Sequence, residues 1–309
     1  MSNGTKRTLA ELITLHELEP ELSEVITEGR VDAAVILWFL RRQGSDATIY
    51  CVSDRLDVPA TAVRSQGQNV SNKGRVISAA LKVGEESPEA TRKLTFVYDI
   101  DDDVMAGRTL AESECLLHTD YRSIELYCFA KNPIDKLLKI TLRAPDDLGS
   151  GEVLAAITNS LVDIAYARFT LSRIEDPVAM IAGIERRCRV EGDAVIVDVD
   201  SLISDSIDKV GGERARGVTK ADLMTNYARE RTNSVHDVRL VIRGHDFTRI
   251  CCYYLKTRYP RIFREDRLPY KTPEVFEGAL ITCLESGELA SEQLFHRLLQ
   301  RHCSSSEGS

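Results

Sequence analysis

The sequence predicts an α/β protein: a mostly parallel sheet with flanking helices, followed by a mainly α-helical C-terminal domain. Three observations predict it. Up to about residue 145, short runs of β-formers alternate with helical patterns, the rhythm of βαβ units. After the segment RAPDDLGSG, residues 143–151, one amphipathic helical pattern follows another. The chain of 309 residues, 43% of them apolar, is long enough for two domains.

The elements follow in order. A helix is expected over residues 8–16, a short strand over 22–27 and a helix over 32–43. ATIYCVS, 47–53, is rich in β-formers and reads as the next strand. Residues 54–68 read as a polar loop. NKGRVISAALKVGEE, 72–86, puts Val76, Ile77, Ala80 and Leu81 on one helical face. RKLTFVYDIDDD holds an apolar strand, 94–98, that ends in a run of acid. SECLLHTDYRSIELYCF reads as a further strand region with a polar interruption. Beyond it, EVLAAITNSLVDIAYARFTLSRI is a long amphipathic helix, and RVEGDAVIVDVDSLIS holds a small strand pair around 191–193. GVTKADLMTNYARER, DFTRICCYYLKTRYP, TPEVFEGALITCLESG and SEQLFHRLLQRH read as helices, with Thr219, Asp246, Thr272 and Ser291 as caps. The expected domains are 1–145, catalytic, and 146–303, mainly helical, with a disordered tail at 304–309.

Composition excludes some classes. A net charge of −8 argues against a wholly cationic nucleic-acid binder and leaves room for a local basic face. No stretch approaches the ~18 consecutive apolar residues of a membrane span. MSNGTKRTLAELI lacks the apolar core of a signal peptide, so the expected location is the cytoplasm. The eight cysteines include the adjacent Cys251 and Cys252 but no CxxC pair, so small core residues are expected rather than a zinc site.

The chemistry concentrates in acids at strand ends. Glu28 closes one predicted strand, and Gly29 reads as the means of a sharp turn there. Asp99, Asp101, Asp102 and Asp103 close another. The two-residue period of a strand puts Asp99 and Asp101 on one face. Two carboxylates aimed at one point repel unless a cation neutralises them, and hard oxygen donors suit Mg²⁺ or Mn²⁺. The competing reading is an acidic turn that solvates a strand end. The phosphatases of the HAD type carry a similar DxD, but their pattern wants Thr or Val where Asp103 stands.

EGRVD, 28–32, at one strand end and DID, 99–101, at another resemble the TOPRIM catalytic domain, and more narrowly the TOPRIM-type nucleases related to the OLD family. TDYRSIELY, 119–127, and NKGRV, 72–76, are similar to one branch of that group, long a domain of unknown function. The resemblance covers roughly residues 20–145. It reaches the helical half only through VEGDAVIVDVDSLI and VIRGHDFTRI. The branch includes effectors of the PARIS type of anti-phage defence, which work with an ABC-type ATPase partner.

The resemblance implies roles. Glu28 would be a metal ligand or general acid/base, and Asp99 and Asp101 metal ligands. Asp32 would be a second acid that serves a second ion, Glu125 a further ligand and Asp103 an extra acid. Lys73 would meet a phosphate or stabilise the leaving oxygen. One or two Mg²⁺ or Mn²⁺ ions are implied. Each has a plainer reading: Asp32 as a helix cap, Glu125 in a salt bridge with Arg122 or Lys131, Lys73 and Arg75 as solvated charges. The implied function is a toxic metal-dependent endonuclease that cuts host RNA, tRNA first, is held by the ATPase and acts as a homodimer. The alternatives are an OLD-type DNA endonuclease and a non-catalytic adaptor.

One further segment bears on nucleic acid. Residues 253–271 carry Lys256, Arg258, Arg261, Arg264, Arg267 and Lys271, interleaved with Tyr253, Tyr254, Tyr259, Phe263 and Tyr270. Basic side chains, Arg75 among them, hold phosphates, and aromatics stack on unpaired bases. The plainer reading is a solvated face with its tyrosines in the core. Arg186, Arg187, Arg189 and the segment ERARGVTK add basic clusters, and His236 and His245 are read as structural or as members of a site.

Overall fold

The computed structural model describes residues 6–213, 217–232 and 237–303. His236, Arg214 to Arg216 of ERARGVTK and the tail 304–309 lie outside the described residues. An N-terminal α/β region with a parallel sheet flanked by helices is followed by a largely helical region. In space the chain forms two compact units. The first takes residues up to Ile100, Thr109–Ile124 and the chain from Glu285; the second takes Asp101–Arg108 and Glu125–Leu284. The division expected near residue 145 is a cut along the chain, whereas each of these units gathers separate stretches of it.

In the first unit, α1 (Leu9–Leu18) starts at a reciprocal cap: Glu11 N donates to Thr8 Oγ1 (3.3 Å) and Thr8 N to the Glu11 carboxylate (2.7 Å). Then come β1 (Glu24–Thr27), α2 (Arg30–Arg42), β2 (Thr48–Cys51), α3 (Val52–Arg55), α4 (Ala60–Ser65), α5 (Asn72–Glu86), β3 (Leu94–Tyr98) and β4 (Leu116–His118). The strands are all parallel, in the order β2-β1-β3-β4. β1 and β3 are buried throughout; β3 accordingly reads as a nearly continuous apolar run, whereas β1 opens on the buried Glu24. Ile26 and Phe96 share a core with Val76, Ile77, Ala80 and Val83 of α5 and Leu12 of α1. The polar loop expected at 54–68 holds the end of α3 and all of α4. Val58 and Val63 are buried there, anchors too sparse to show a period. The strand region expected around 113–129 is one short strand, β4, followed by a 3₁₀ turn at Ile124–Cys128.

In the second unit, α6 (Lys131–Lys136) runs on into a wider π turn at Leu137–Thr141. Next are α7 (Ser150–Ser172), the antiparallel pair β5 (Cys188–Glu191) and β6 (Ala194–Val197), α8 (Val199–Lys209), α9 (Lys220–Thr232), α10 (Gly244–Arg258) and α11 (Pro273–Ile281). α7 is the hub: α9, α10 and β6 all pack on it. Thr219 caps α9 together with Asp222. Asp246, expected as a cap, lies inside α10, where its carboxylate takes both bonds of an Arg168 amine nitrogen (2.9 and 3.0 Å).

The chain ends in the first unit with α12 (Ser286–Leu289) and α13 (Gln293–His302), which pack on α2. Phe295 meets Phe39 edge to face at 4.8 Å. Glu292, not Ser291, stands at the N-cap of α13. No helix among the described residues is long and apolar enough to cross a membrane.

Candidate functional site

Strand order places the first site. β1 leads through α2 to β2 on one side, and β3 leads to β4 on the other. Chains that diverge from adjacent parallel strands open a crevice at their carboxyl ends, the position where open α/β sheets bind ligands. Glu28 is the first residue past β1 and Asp99 the first past β3. Glu28 N donates to Val97 O (3.1 Å), and Asp99 N lies 3.4 Å from Glu28 Oε2. The Glu28 carbonyl accepts from Asn72 Nδ2 and from the Cys51 thiol, each at 3.2 Å. The backbone is thus pinned on three sides, and both carboxylates are half-buried at the sheet's mouth.

The expected turn at Gly29 has a different cause. Its φ of −119° is ordinary extended backbone. A Cβ there would sit 2.9 Å from Asp32 Oδ2, so the glycine makes room for a carboxylate. Asp32 Oδ2 accepts from Gly29 N at 2.8 Å, and the buried side chain caps α2.

Lys73 and Arg75 lie in the first turn of α5, where Ser71 Oγ caps Gly74 N at 3.1 Å. A Cβ on Gly74 would stand 1.9 Å from Asn69 O, so only glycine fits this helix start. Lys73 Nζ donates to Ile100 O (3.0 Å) and lies 5.3 Å from the centre of the Tyr98 ring, beside the end of β3. Arg75 Nη1 donates to Asn72 Oδ1 (3.3 Å).

The acids after Asp99 leave strand geometry. β3 ends at Tyr98, and Asp101 takes a left-handed φ of 51°. Two-residue alternation therefore does not apply to Asp99 and Asp101. Asp101, Asp102 and Asp103 belong to the second unit, where Arg108 Nε donates to Asp103 Oδ1 at 2.7 Å.

A second cluster forms within the second unit. Glu125, on the 3₁₀ turn, His245, at the start of α10, and Glu277, in α11, bring their ligand atoms within 4.8 Å of one another. It is the one such group found among the described residues, and Glu125 is the only expected ligand in it. His245 Nδ1 lies 2.8 Å from Glu277 Oε2, and Thr248 Oγ1 donates to the same oxygen at 2.9 Å. The bond to Glu277, aided by the Glu277 and Glu125 charges, raises the pKa of the exposed His245 over a smaller opposing desolvation. Burial alone would raise the Glu277 pKa, but the bonds and charge of His245, with Thr248 and Arg249, leave it lowered. Two carboxylates and an imidazole so placed can hold a divalent metal ion.

The basic segment is partly consumed by the fold. Tyr254 and Phe263 are core residues, and Tyr253 OH donates to Cys188 O (2.8 Å). Arg258 pairs with Asp193 (3.1 Å), Arg267 Nη1 donates to Leu142 O (2.9 Å) and Lys256 Nζ to Lys271 O (3.2 Å). Arg261, Arg264 and Lys271 are exposed, and Tyr259 and Tyr270 are half-buried beside them. Of the second cluster, Arg187 pairs with Asp205 and Arg189 with Glu191.

Compared with protein-family models and with curated proteins, the chain matches no family model and no curated protein significantly.

Proposed function

We propose that the chain is a metal-dependent TOPRIM-type endonuclease whose reacting centre is the crevice at the carboxyl ends of β1 and β3. The observation that carries this reading is the meeting of Glu28 and Asp99 at the switch point of the sheet, 3.4 Å from carboxylate oxygen to backbone nitrogen. The donor set there is oxygen only, which fits Mg²⁺ or Mn²⁺. Such an ion supplies an ionised water near neutral pH and neutralises charge on a phosphodiester. Glu28 and Asp99 would hold it. Glu28, its backbone pinned by three bonds, keeps its carboxylate aimed into the crevice and is placed to take the water's proton. Lys73, held beside Ile100, offers an ammonium to a phosphate or to the leaving oxygen.

The finer reading rests on the segments EGRVD, DID and TDYRSIELY. They support a toxic effector of the PARIS type of anti-phage defence, restrained by an ABC-type ATPase and active as a homodimer on host RNA, with tRNA the substrate. The exposed Arg261, Arg264 and Lys271 beside Tyr259 and Tyr270 suit unpaired bases better than duplex.

The test is direct. Purified protein is incubated with total bacterial RNA and with plasmid DNA, in Mg²⁺, Mn²⁺ or EDTA, beside Glu28→Gln and Asp99→Asn. Discrete RNA fragments that need metal and vanish in both variants are the expected result. Cut DNA with intact RNA moves the substrate to DNA, as in OLD-type nucleases. Cleavage that survives both substitutions removes the crevice as the reacting centre.

A further inference from the structure

The crevice reading uses neither His245 nor Glu277, and Glu125, expected as a further ligand of the nuclease site, is grouped with these two. We propose that these three side chains bind one transition-metal ion of the Zn²⁺ or Mn²⁺ class in preference to Mg²⁺, and that the ion ties the turn carrying Glu125 to α10 and α11. The proposal stands independently of the nuclease reading.

Three segments far apart in the chain converge on one point, with all ligand atoms within 4.8 Å. Glu125 is only 7% exposed, and its charge acts on His245. A buried carboxylate facing a second carboxylate is costly unless a cation lies between them. The packing that brings Glu125 toward Glu277 therefore favours a bound cation. Thr248 Oγ1 fixes Glu277 Oε2 at 2.9 Å, the kind of outer hydrogen bond that orients a metal ligand.

The donor set selects the ion. Mg²⁺ takes oxygen ligands and gives up water reluctantly, whereas Zn²⁺ and Mn²⁺ accept an imidazole nitrogen beside carboxylates. The His245 side chain is 69% exposed, which leaves an entry path and a coordination position for water. The ion would take the place of the hydrogen bond that now joins His245 Nδ1 to Glu277 Oε2.

The experiment uses the full chain stripped with EDTA. Zn²⁺, Mn²⁺ and Mg²⁺ are titrated separately by calorimetry into the wild type, His245→Asn, Glu277→Gln and a Glu28→Gln/Asp99→Asn double variant. One equivalent of Co²⁺ is added in parallel as a spectroscopic probe. The expected result is one equivalent of Zn²⁺ bound by the wild type and by the double variant. His245→Asn should weaken it at least about tenfold and abolish the visible Co²⁺ bands. Zn²⁺ should raise the melting temperature of the wild type and not of His245→Asn. Because His245 is exposed, its replacement leaves the fold in place, and melting without metal verifies that. Zn²⁺ binding unchanged in both His245→Asn and Glu277→Gln, Zn²⁺ binding lost in the double variant, or Mg²⁺ bound as tightly as Zn²⁺ at this site would each overturn the proposal. All readouts are of binding, so a chain that cuts no nucleic acid still decides them.

Discussion

Asp99 N stands 3.4 Å from Glu28 Oε2, so the first residue beyond β3 meets the first beyond β1. The contact follows from topology. Thr27, the last residue of β1, lies opposite Val97, β3 runs one residue further to Tyr98, and the residues that follow, Glu28 and Asp99, emerge at the same mouth.

Replacing Glu28 with Gln should therefore remove activity and spare the fold. Its backbone bonds to Val97, Asn72 and Cys51 do not involve the carboxylate. Cleavage should fall by about 10²–10⁴-fold, with the urea midpoint almost unchanged. A parallel fall in midpoint and activity would assign Glu28 to stability instead.

Gly74 is the opposite case. In Gly74→Ala the new methyl meets the Asn69 carbonyl, a backbone atom that cannot rotate away. The start of α5 must shift, and Lys73 with it. A stability loss of about 1–3 kcal/mol is expected by chemical denaturation, together with weaker cleavage. Gly84→Ala on the same helix would meet only the Ser113 hydroxyl, at 3.0 Å, and should cost less.

The buried group at the start of β1 gives a third expectation. Glu24 is 0% exposed and receives Arg55 Nε (2.5 Å) and Nη2 (2.9 Å), with His16 Nε2 at 3.3 Å. Burial pushes its pKa up, but the bonds from His16 and Arg55 outweigh that and lower it. Arg55→Met leaves the carboxylate buried beside His16 alone. It should cost about 3–5 kcal/mol in a urea titration, whereas Arg30→Met, which breaks an exposed pair with Asp54, should change little.

Strand β3 and the acids after the strand ends were legible in the sequence because a buried strand reads as an apolar run and a following carboxylate marks where it stops, whereas the buried Glu24 that opens β1 shows that charge is not always such a mark. Asp101 was misread for a related reason. The period of a strand cannot be carried past its last residue, and a left-handed φ at Asp101 carries no sequence signature when the residue is not glycine. Glu125, His245 and Glu277 were illegible as a group. His245 and Glu277 are 32 residues apart on different helices, and only the packing of α10 on α11 joins them. The pattern of α13 announced an amphipathic helix, but amphipathicity does not say which surface the apolar face will cover.

That last helix carries the pH dependence. His302 is 5% exposed, with Nδ1 2.7 Å from Ser23 Oγ and Nε2 2.8 Å from Thr95 Oγ1. Burial first, then the charges of Arg301 and Lys93, push its pKa down to about 3 from the ordinary 6.5. The folded chain keeps this imidazole neutral where the unfolded chain protonates it. Between those two values the unfolded state binds more protons, so stability rises with pH. The contribution is fully present above pH ~6.5 and is lost as pH falls toward ~3, amounting to about 2 kcal/mol by pH 5. His302→Gln keeps a polar group between Ser23 and Thr95 and cannot titrate. Urea midpoints of the two proteins at pH 7.5 and pH 5.0 decide the matter. The wild type should lose about 2 kcal/mol more than the variant over that interval, and equal losses would mean that His302 is protonated in the folded chain.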